Sequence, residues 1–349
     1  MKNIINWVDA AKAISIMAVF FVHSQLYYGW WFGKINDFIH PFYVNSFFFV
    51  SGYLLFRKQL SYPIIEEGVL QYVTGGGNNM VNNIFFRIII PSILFSTIEF
   101  IPKIMLKGQG FEVIDCIWQT IGGRTYWFTS ALVVAQIILL VIFLSRCRSM
   151  WVYWVYSLCV FAIGVFMVDK KMNLLGLFYD PWQFKHGLYA IPFLTAGGLY
   201  WKSEDTIKRF IKKPIIILMF IAYIAMFVFW AKDLRVLVSM LDVNWAGYLS
   251  GCFASVLLIE LCKYLPKISW LSYIGRNSIC FYFMSGALPI VIGMVMNRII
   301  GNPTWFGVIC VWILSMLTSY IATLFINTYI PWILDLRKLR TYINSRMTM

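Results

Sequence analysis

Long apolar segments, separated by short polar connections, run through nearly the whole chain of 349 residues. Segments of roughly 18 to 25 apolar residues are long enough to cross the hydrocarbon core of a bilayer as helices. Hydrophobic residues make up 60% of the chain and charged residues only 13%, and the mean hydropathy is +0.74. A soluble domain of this size could not hide so much apolar surface. The sequence therefore predicts an all-α, polytopic membrane protein.

We predict about ten transmembrane helices from the lengths of these segments. They cover residues 7–31, 38–56, 83–106, 125–145, 150–169, 185–201, 213–231, 246–262, 272–297 and 304–334. Basic residues accumulate in short cytoplasmic connections. With the N-terminus inside, the cytoplasmic segments hold sixteen Lys and Arg residues and the outer segments nine. This asymmetry predicts that both termini are cytoplasmic.

The remaining bulk features narrow the class of protein further. The net charge of +14 is accounted for by membrane topology and anionic lipid, and it requires no nucleic-acid partner. The seven cysteines are scattered, with no pair at metal-ligand spacing, so we expect neither a disulfide framework nor a metal site. No cleavage site follows the first span, which we expect to be retained. We expect residues 1–349 to form a single membrane domain.

Two ionisable residues, Lys12 and His23, lie inside the first apolar segment. Eleven helical steps of about 100° return to nearly the same face, and they place the two side chains roughly 16 Å apart along one stripe. Ionisable groups inside a membrane span are costly and mark candidate functional sites. We therefore take this stripe as the first candidate site.

Two connections are long enough to contribute to a site. The segment from Arg57 to Asn83 carries Glu66, Glu67 and the glycine-rich run TGGGNN, and it is either a flap over a ligand or an unconstrained linker. The outer segment from 107 to 125 leads into Trp127 at the start of the fourth span. A Trp there is either an interfacial anchor or a platform for substrate.

Five motifs in order carry a family resemblance. They are Lys12 with His23, FFFVSGYL from Phe47 to Leu54, RIIIP from Arg87 to Pro91, YWF from Tyr126 to Phe128, and IGRNSICFY from Ile274 to Tyr282. With these motifs the chain resembles the integral membrane acyltransferase-three family. The resemblance implies a multi-pass protein of the bacterial plasma membrane. It also implies transfer of an acyl group, most often acetyl from acetyl-CoA, onto hydroxyls of cell-surface glycans.

The chain departs from the family pattern at three positions. Lys12 stands where the family usually has Arg, which keeps the positive charge but loses the planar bidentate fork. Ile84 replaces a basic residue that often lies three positions before the arginine of the third span. Ser285 stands where the motif of the ninth span frequently ends in His. These departures bear on donor contacts more than on the fold.

The chemistry and predicted depth of individual residues, taken together with the resemblance, predict their roles. His23 would be the general base, because neutral imidazole can accept the proton of an attacking hydroxyl. An acid or a carbonyl would orient it, and Glu99 is a candidate because it lies at a similar predicted depth. Lys12, Arg87 and Arg276 would hold the phosphates of acyl-CoA, although Arg276 could equally be an anchor that reaches the membrane surface.

Other polar and aromatic residues have a structural interpretation as well as a functional one. Asp9 is three residues before Lys12 and is expected to compensate its charge. Trp127 and His186 are candidates for an acceptor-binding mouth, as is His40, although histidines at membrane interfaces are common. An acyl-serine mechanism through Ser278 is possible but not favoured, because its hydroxyl can bond within its own helix.

We therefore expect an acetyl-CoA-dependent O-acyltransferase that modifies a surface polysaccharide or its lipid-linked precursor. Its partners would be acyl-CoA, the glycan and membrane lipid, with no metal. Two alternatives stay open, a glycan or lipid-linked sugar translocase without acyl transfer and a non-catalytic partner of a polysaccharide synthase.

Overall fold

A computed structural model describes residues 6–61, 80–107, 112–145, 147, 149–172, 174, 180–230, 238, 241 and 244–339. Within these ranges the regular structure is helical and contains no strand, as the sequence predicts. The helices are α1 Asn6–Tyr28, α2 Gly33–Ile39, α3 Asn45–Ser61, α4 Met80–Ile84, α5 Ile90–Lys107, α6 Val113–Gln119, α7 Trp127–Leu144, α8 Met150–Asp169, α9 Phe184–Lys202, α10 Glu204–Phe210, α11 Lys213–Trp230, α12 Trp245–Tyr264, α13 Ser269–Arg276, α14 Ser278–Met284, α15 Ala287–Ile300 and α16 Trp305–Tyr329. A π-helix, Phe85–Ile89, joins α4 to α5, and short 3-10 turns lie at Pro181–Gln183 and Pro331–Ile333.

Six stretches of helix in the described part of the chain are long and apolar enough to cross a membrane. They are Asn6–Tyr28, Met80–Phe100, Trp127–Leu144, Met150–Asp169, Trp245–Tyr264 and Trp305–Tyr329. The number rises to eight if each of two bent helix pairs, α10 with α11 and α14 with α15, is one span. The protein is therefore a multi-pass membrane protein by helix length and composition, while ten spans and cytoplasmic termini stay predictions.

The structure corrects two predicted segments. The sequence predicts one helix over 272–297, but this stretch contains α13, α14 and α15, with breaks at Asn277 and at Ser285 and Gly286. The Asn277 side chain bonds the carbonyl of Tyr273 at 2.9 Å, which satisfies the end of α13 locally. The predicted span 38–56 is helical as α3 only from Asn45 onward. The glycine-rich run and the two glutamates before it lie outside the described residues.

The described contacts group the chain into two compact units. The first comprises residues 1–54, 196–237 and 242–324, and the second comprises residues 55–195, 238–241 and 325–349. A single domain over 1–349 stays a prediction.

In the first unit, α1 packs against α12, α13, α14 and α15. Two glycines allow helices to approach closely, as small residues do in membrane bundles. A Cβ on Gly275 would overlap the backbone carbonyl of Asp9 on α1. A Cβ on Gly197 of α9 would overlap the carbonyl of Phe49 on α3. Any side chain at either position would force the two backbones apart.

In the second unit, α7 contacts both the π-helix and the turn at Pro181–Gln183. The π-helix ends two residues before Pro91, whose ring nitrogen has no hydrogen to donate to the carbonyl of Arg87. Widened turns of this kind often occur at functional positions. Here the widened turn carries Arg87, one of the motif residues.

Candidate active site

His23 is held in a defined orientation on α1. Its Nδ1 lies 2.7 Å from the backbone carbonyl oxygen of Ser285, and the ring is partly buried beside Tyr27, with ring centroids 5.8 Å apart. A carbonyl oxygen can only accept, so Nδ1 must carry the proton and donate it. In the neutral ring, Nε2 then keeps its lone pair. This is the tautomer that a general base acting through Nε2 requires.

The carbonyl of Ser285 can accept this bond because of the sequence around it. In a continuous helix it would bond the N–H of residue 289, but that residue is proline and has no N–H. The chain also bends by 47° between α14 and α15 at this point. The side-chain hydroxyl of Ser285 donates to the carbonyl of Tyr282 at 2.8 Å rather than to His23. Ser285, where the family often has a histidine side chain, thus contributes its backbone to the site.

The expected orienting partner of His23 was an acid or a carbonyl, and the structure supplies a carbonyl. Glu99, the acidic candidate, lies partly buried on α5 in the second unit, whereas His23 belongs to the first. A role for Glu99 in catalysis stays a prediction.

Lys12 and Arg276, two of the three predicted donor-binding residues, meet at one carboxylate. The Lys12 Nζ lies 4.0 Å from Asp9 Oδ1, and the Arg276 Nε lies 3.7 Å from Asp9 Oδ2. Asp9 is buried, whereas half of the Arg276 side chain is exposed. Gly275 makes this arrangement possible because its missing side chain lets α13 lie against α1 at Asp9. Two cations and one anion leave this cluster with a net positive charge.

Arg87, the third predicted donor-binding residue, lies in a different acid-centred cluster in the second unit. Its Nε is 3.3 Å from Asp335 Oδ2. Arg337 donates two hydrogen bonds to the same carboxylate, from Nε to Oδ1 at 2.8 Å and from Nη2 to Oδ2 at 2.7 Å. Lys58 lies within electrostatic reach of both arginines. The joint action of Lys12, Arg87 and Arg276 on one donor stays a prediction.

The Asp335 carboxyl is held in its ionised form. Burial raises the pKa of Asp335, but the hydrogen bonds and charge of Arg337, together with the charge of Arg87, outweigh burial and hold the pKa below its ordinary value. Neither Asp335 nor Arg337 is apparent as a site residue in the sequence, because both follow the last apolar segment, where charged residues commonly flank a membrane helix.

Trp127 and His186, the predicted acceptor-binding residues, lie side by side in the second unit. Their ring centroids are 5.9 Å apart and the planes are inclined by 50°. The turn that precedes α9 brings them together, because Trp182 N donates to the carbonyl of Gly122 at 2.8 Å just before α7. Trp182 has a φ of +54°, a left-handed conformation that is unfavourable for a Trp. The packing around Trp182 must therefore maintain this unfavourable backbone conformation.

Asp180 extends this region and is not singled out by any sequence motif. Its Oδ2 accepts a hydrogen bond from the backbone N of Lys185 at 3.0 Å, and its Oδ1 is buried without a donor among the described residues. Burial raises the pKa of Asp180, and the backbone N–H of Lys185 with the charges of Lys185 and His186 opposes part of that rise.

His40, another predicted candidate for acceptor binding, lies in the first unit. Its Nδ1 bonds the carbonyl of Asn36 in its own turn at 2.6 Å, which is a structural contact.

The first unit also contains a buried polar network that the sequence analysis does not predict. Tyr53, from the second motif, donates to Glu204 at 2.6 Å. Tyr200 donates to Glu260, and Lys263 lies 2.6 Å from the Tyr200 hydroxyl, 3.0 Å from Glu260 and 3.6 Å from Glu204. Only the spacing of Glu260 and Lys263, three residues apart, is visible in the sequence.

Among the described residues, no group of three or more His, Cys, Asp or Glu side chains is arranged to hold a metal ion. Neither a curated protein nor a solved structure matches the chain. The family described as an acyltransferase domain matches residues 5–328, which is most of the chain and contains all five motifs. The protein is therefore a member of the acyltransferase-three family.

Proposed function

We propose that this protein is an O-acyltransferase of the bacterial plasma membrane. It transfers an acyl group, acetyl in the simplest case, from acyl-CoA to a hydroxyl of a surface polysaccharide or of its lipid-linked precursor. Family membership supports acyl transfer in general. The observation that carries the finer proposal is the bond from His23 Nδ1 to the carbonyl of Ser285, which leaves Nε2 able to accept a proton.

The chemistry requires one base. His23 Nε2 takes the proton of the acceptor hydroxyl while its oxygen attacks the thioester carbonyl carbon. The new C–O bond forms, the C–S bond breaks, and the CoA thiolate leaves and is protonated by the imidazolium. The carbonyl of Ser285 stabilises that imidazolium because Nδ1–H keeps its acceptor in both states.

The donor would be held by cations. Lys12 and Arg276 share Asp9 at 3.7 to 4.0 Å, which is looser than a direct charge-assisted hydrogen bond of about 2.8 Å. A phosphate of the donor can therefore compete with Asp9 for both cations.

The acceptor would bind at Trp127, His186 and Asp180. A Trp face suits the apolar face of a sugar ring, and hydroxyl groups can donate to a buried carboxylate oxygen. Oδ1 of Asp180 supports this proposal because a buried acceptor without a donor is costly in a folded protein.

The test is thiol release from acetyl-CoA by purified protein in nanodiscs, with a cell-glycan extract as acceptor. His23→Gln keeps a donor for the Ser285 carbonyl but has no base, so we expect acceptor-dependent release to fall at least a hundredfold. His40→Gln is the matched control, because His40 also bonds a backbone carbonyl through Nδ1, and it should retain activity.

Release that persists in folded His23→Gln protein would contradict the assignment of the base. If the folded wild-type protein releases no thiol from any acyl-CoA, yet cells need the chain to display glycan, the translocase replaces the acyltransferase as the proposed function.

A further inference from the structure

The short helix α10 is turned sharply away from the helix that follows it. The axis of α10 is bent by 92° from the axis of α11 over residues Lys213–Phe229. The segment 213–229 is strongly apolar and has the length of a membrane span. Transmembrane helices tilt on average only about 20° from the bilayer normal. If α11 crosses the bilayer, α10 lies close to the plane of the membrane surface.

The segment from 202 to 213 is basic along this surface. It contains five basic and two acidic residues, and the exposed basic side chains are those of Lys202, Lys208, Arg209, Lys212 and Lys213. Phe210, at the end of α10, is 69% exposed. A basic helix with an exposed aromatic residue at the level of the lipid headgroups is typical of segments that lie on an anionic bilayer.

Of the two acidic residues of α10, Glu204 is bound within the first unit, whereas Asp205 is exposed. Glu204 accepts a hydrogen bond from Tyr53 at 2.6 Å and pairs with Lys263 at 3.6 Å. It also contacts Lys208 at 3.4 Å. Because this glutamate is engaged by α3 and α12, α10 is held against the bundle, and Arg209 and Lys212 point to the exterior.

The break between α10 and α11 has a second interfacial contact. The Lys213 ammonium lies 5.6 Å from the ring centroid of Tyr264, which is half exposed at the end of α12. Tyrosine at the end of a membrane helix commonly sits at headgroup level. The basic residues thus lie at the depth where phosphates of lipid headgroups are found.

We propose that the segment 202–213 is a binding site for anionic phospholipid headgroups of the adjacent leaflet. The fixed position of α10 distinguishes this segment from basic residues scattered through other connections, because a rigid row of cations binds headgroups without first losing the freedom of a loop. The proposal does not depend on the acyltransferase activity.

The experiment measures the affinity of a spin-labelled phosphatidylglycerol for the full-length protein in phosphatidylcholine nanodiscs. The test variant is Arg209→Gln with Lys212→Gln, and the matched control is Lys34→Gln with Arg298→Gln, which removes two exposed charges from elsewhere in the first unit. At about fivefold for each charge, the test variant should lose on the order of twentyfold in relative affinity, and the control less than twofold.

Raising the salt from 50 to 500 mM should weaken binding to wild type more than binding to the test variant, which keeps three of the five cations. Circular dichroism serves to check that both variants keep wild-type helix content. Equal affinity of wild type and test variant, or an equal loss in the control, would overturn the proposal.

Discussion

Each unit of the protein contains a carboxylate surrounded by cations, and the two clusters are built differently. In the first unit, Lys12 and Arg276 lie 4.0 and 3.7 Å from Asp9, at the close contact of two helices. In the second unit, Arg337 holds Asp335 with two short hydrogen bonds from only two residues away in the chain.

The difference separates a cluster that can exchange its partners from one that is a fixed part of the fold. The ion pairs to Asp9 are longer than a direct charge-assisted hydrogen bond, so we expect that a phosphate can compete with this carboxylate for the cations. In a bidentate arginine–carboxylate pair, two donors of the arginine are already used by the carboxylate. Such a pair mainly stabilises local structure. We therefore expect changes at Asp335 to affect stability and changes at Lys12 or Arg276 to affect donor binding.

The largest expected effect comes from the glycine that builds the first cluster. Gly275→Ala places a methyl group on the carbonyl of Asp9, so α1 and α13 must separate. We expect a loss of about 3 kcal/mol in stability and loss of activity. Gly293→Ala is the control, because its Cβ would meet only ordinary contacts at 3.6 Å. Thermal unfolding in detergent measures both, and equal melting temperatures for the two variants would contradict the close contact at Asp9.

The second prediction concerns the fixed cluster. Asp335→Asn leaves Arg337 and Arg87 without their carboxylate, and we expect a loss of about 2 kcal/mol with little change in the KM for acyl-CoA. Asp169→Asn, which removes the exposed pair with Lys170, should cost less than about 0.5 kcal/mol. Denaturant unfolding and steady-state kinetics test this, and a raised KM with unchanged stability would reverse the assignment of the two clusters.

The third prediction concerns the exchangeable cluster. Lys12→Gln and Arg276→Gln should each raise the KM for acyl-CoA about tenfold with little change in kcat, because each removes a charge-assisted contact to the donor. Lys12→Arg keeps the charge and should retain the wild-type KM within about threefold. The idea fails if neutralising either cation leaves the dependence on acyl-CoA unchanged while the protein stays folded.

The smallest effect is a dependence of stability on pH. Since the folded-state pKa of Asp335 is below its ordinary value, its ionised form adds stability that is present above about pH 4 and is lost as the pH falls through the folded pKa. The stability difference between wild type and Asp335→Asn should therefore be constant above about pH 4 and shrink as the pH falls from about 4 to about 2. An unchanged difference over that range would mean that the charge of Asp335 contributes nothing.

Several parts of the site are predictable from sequence because their signals are local. Lys12 and His23 stand out as ionisable residues at helical spacing in an apolar segment. The partner of His23 has a sequence signal as well, since Pro289 lies four residues after Ser285 and deprives its carbonyl of a helical donor. The same reasoning applies to Arg87 and Pro91. In the segment 272–297, Pro289 indicates a break in the stretch that hydropathy alone predicts as one helix.

Other parts depend on residues that are distant in sequence. Asp9 and Arg276 meet because Gly275 lets two helices touch, and Glu204 finds Tyr53 and Lys263 from two other helices. Asp335 follows the last span as an ordinary flanking charge until the fold brings Arg87 to it. No periodicity or spacing within one segment specifies such pairs.

The sequence by itself determined that this chain is an all-helical membrane protein of the acyltransferase-three family, with Lys12 and His23 on one helix. Hydropathy, helical periodicity and motif order are properties of neighbouring residues, so they can be read without the fold. Only the tertiary structure decided the tautomer of His23, the sharing of Asp9 by two cations and the orientation of α10. Each of these depends on atoms of different helices, and their distances are set by how the helices pack.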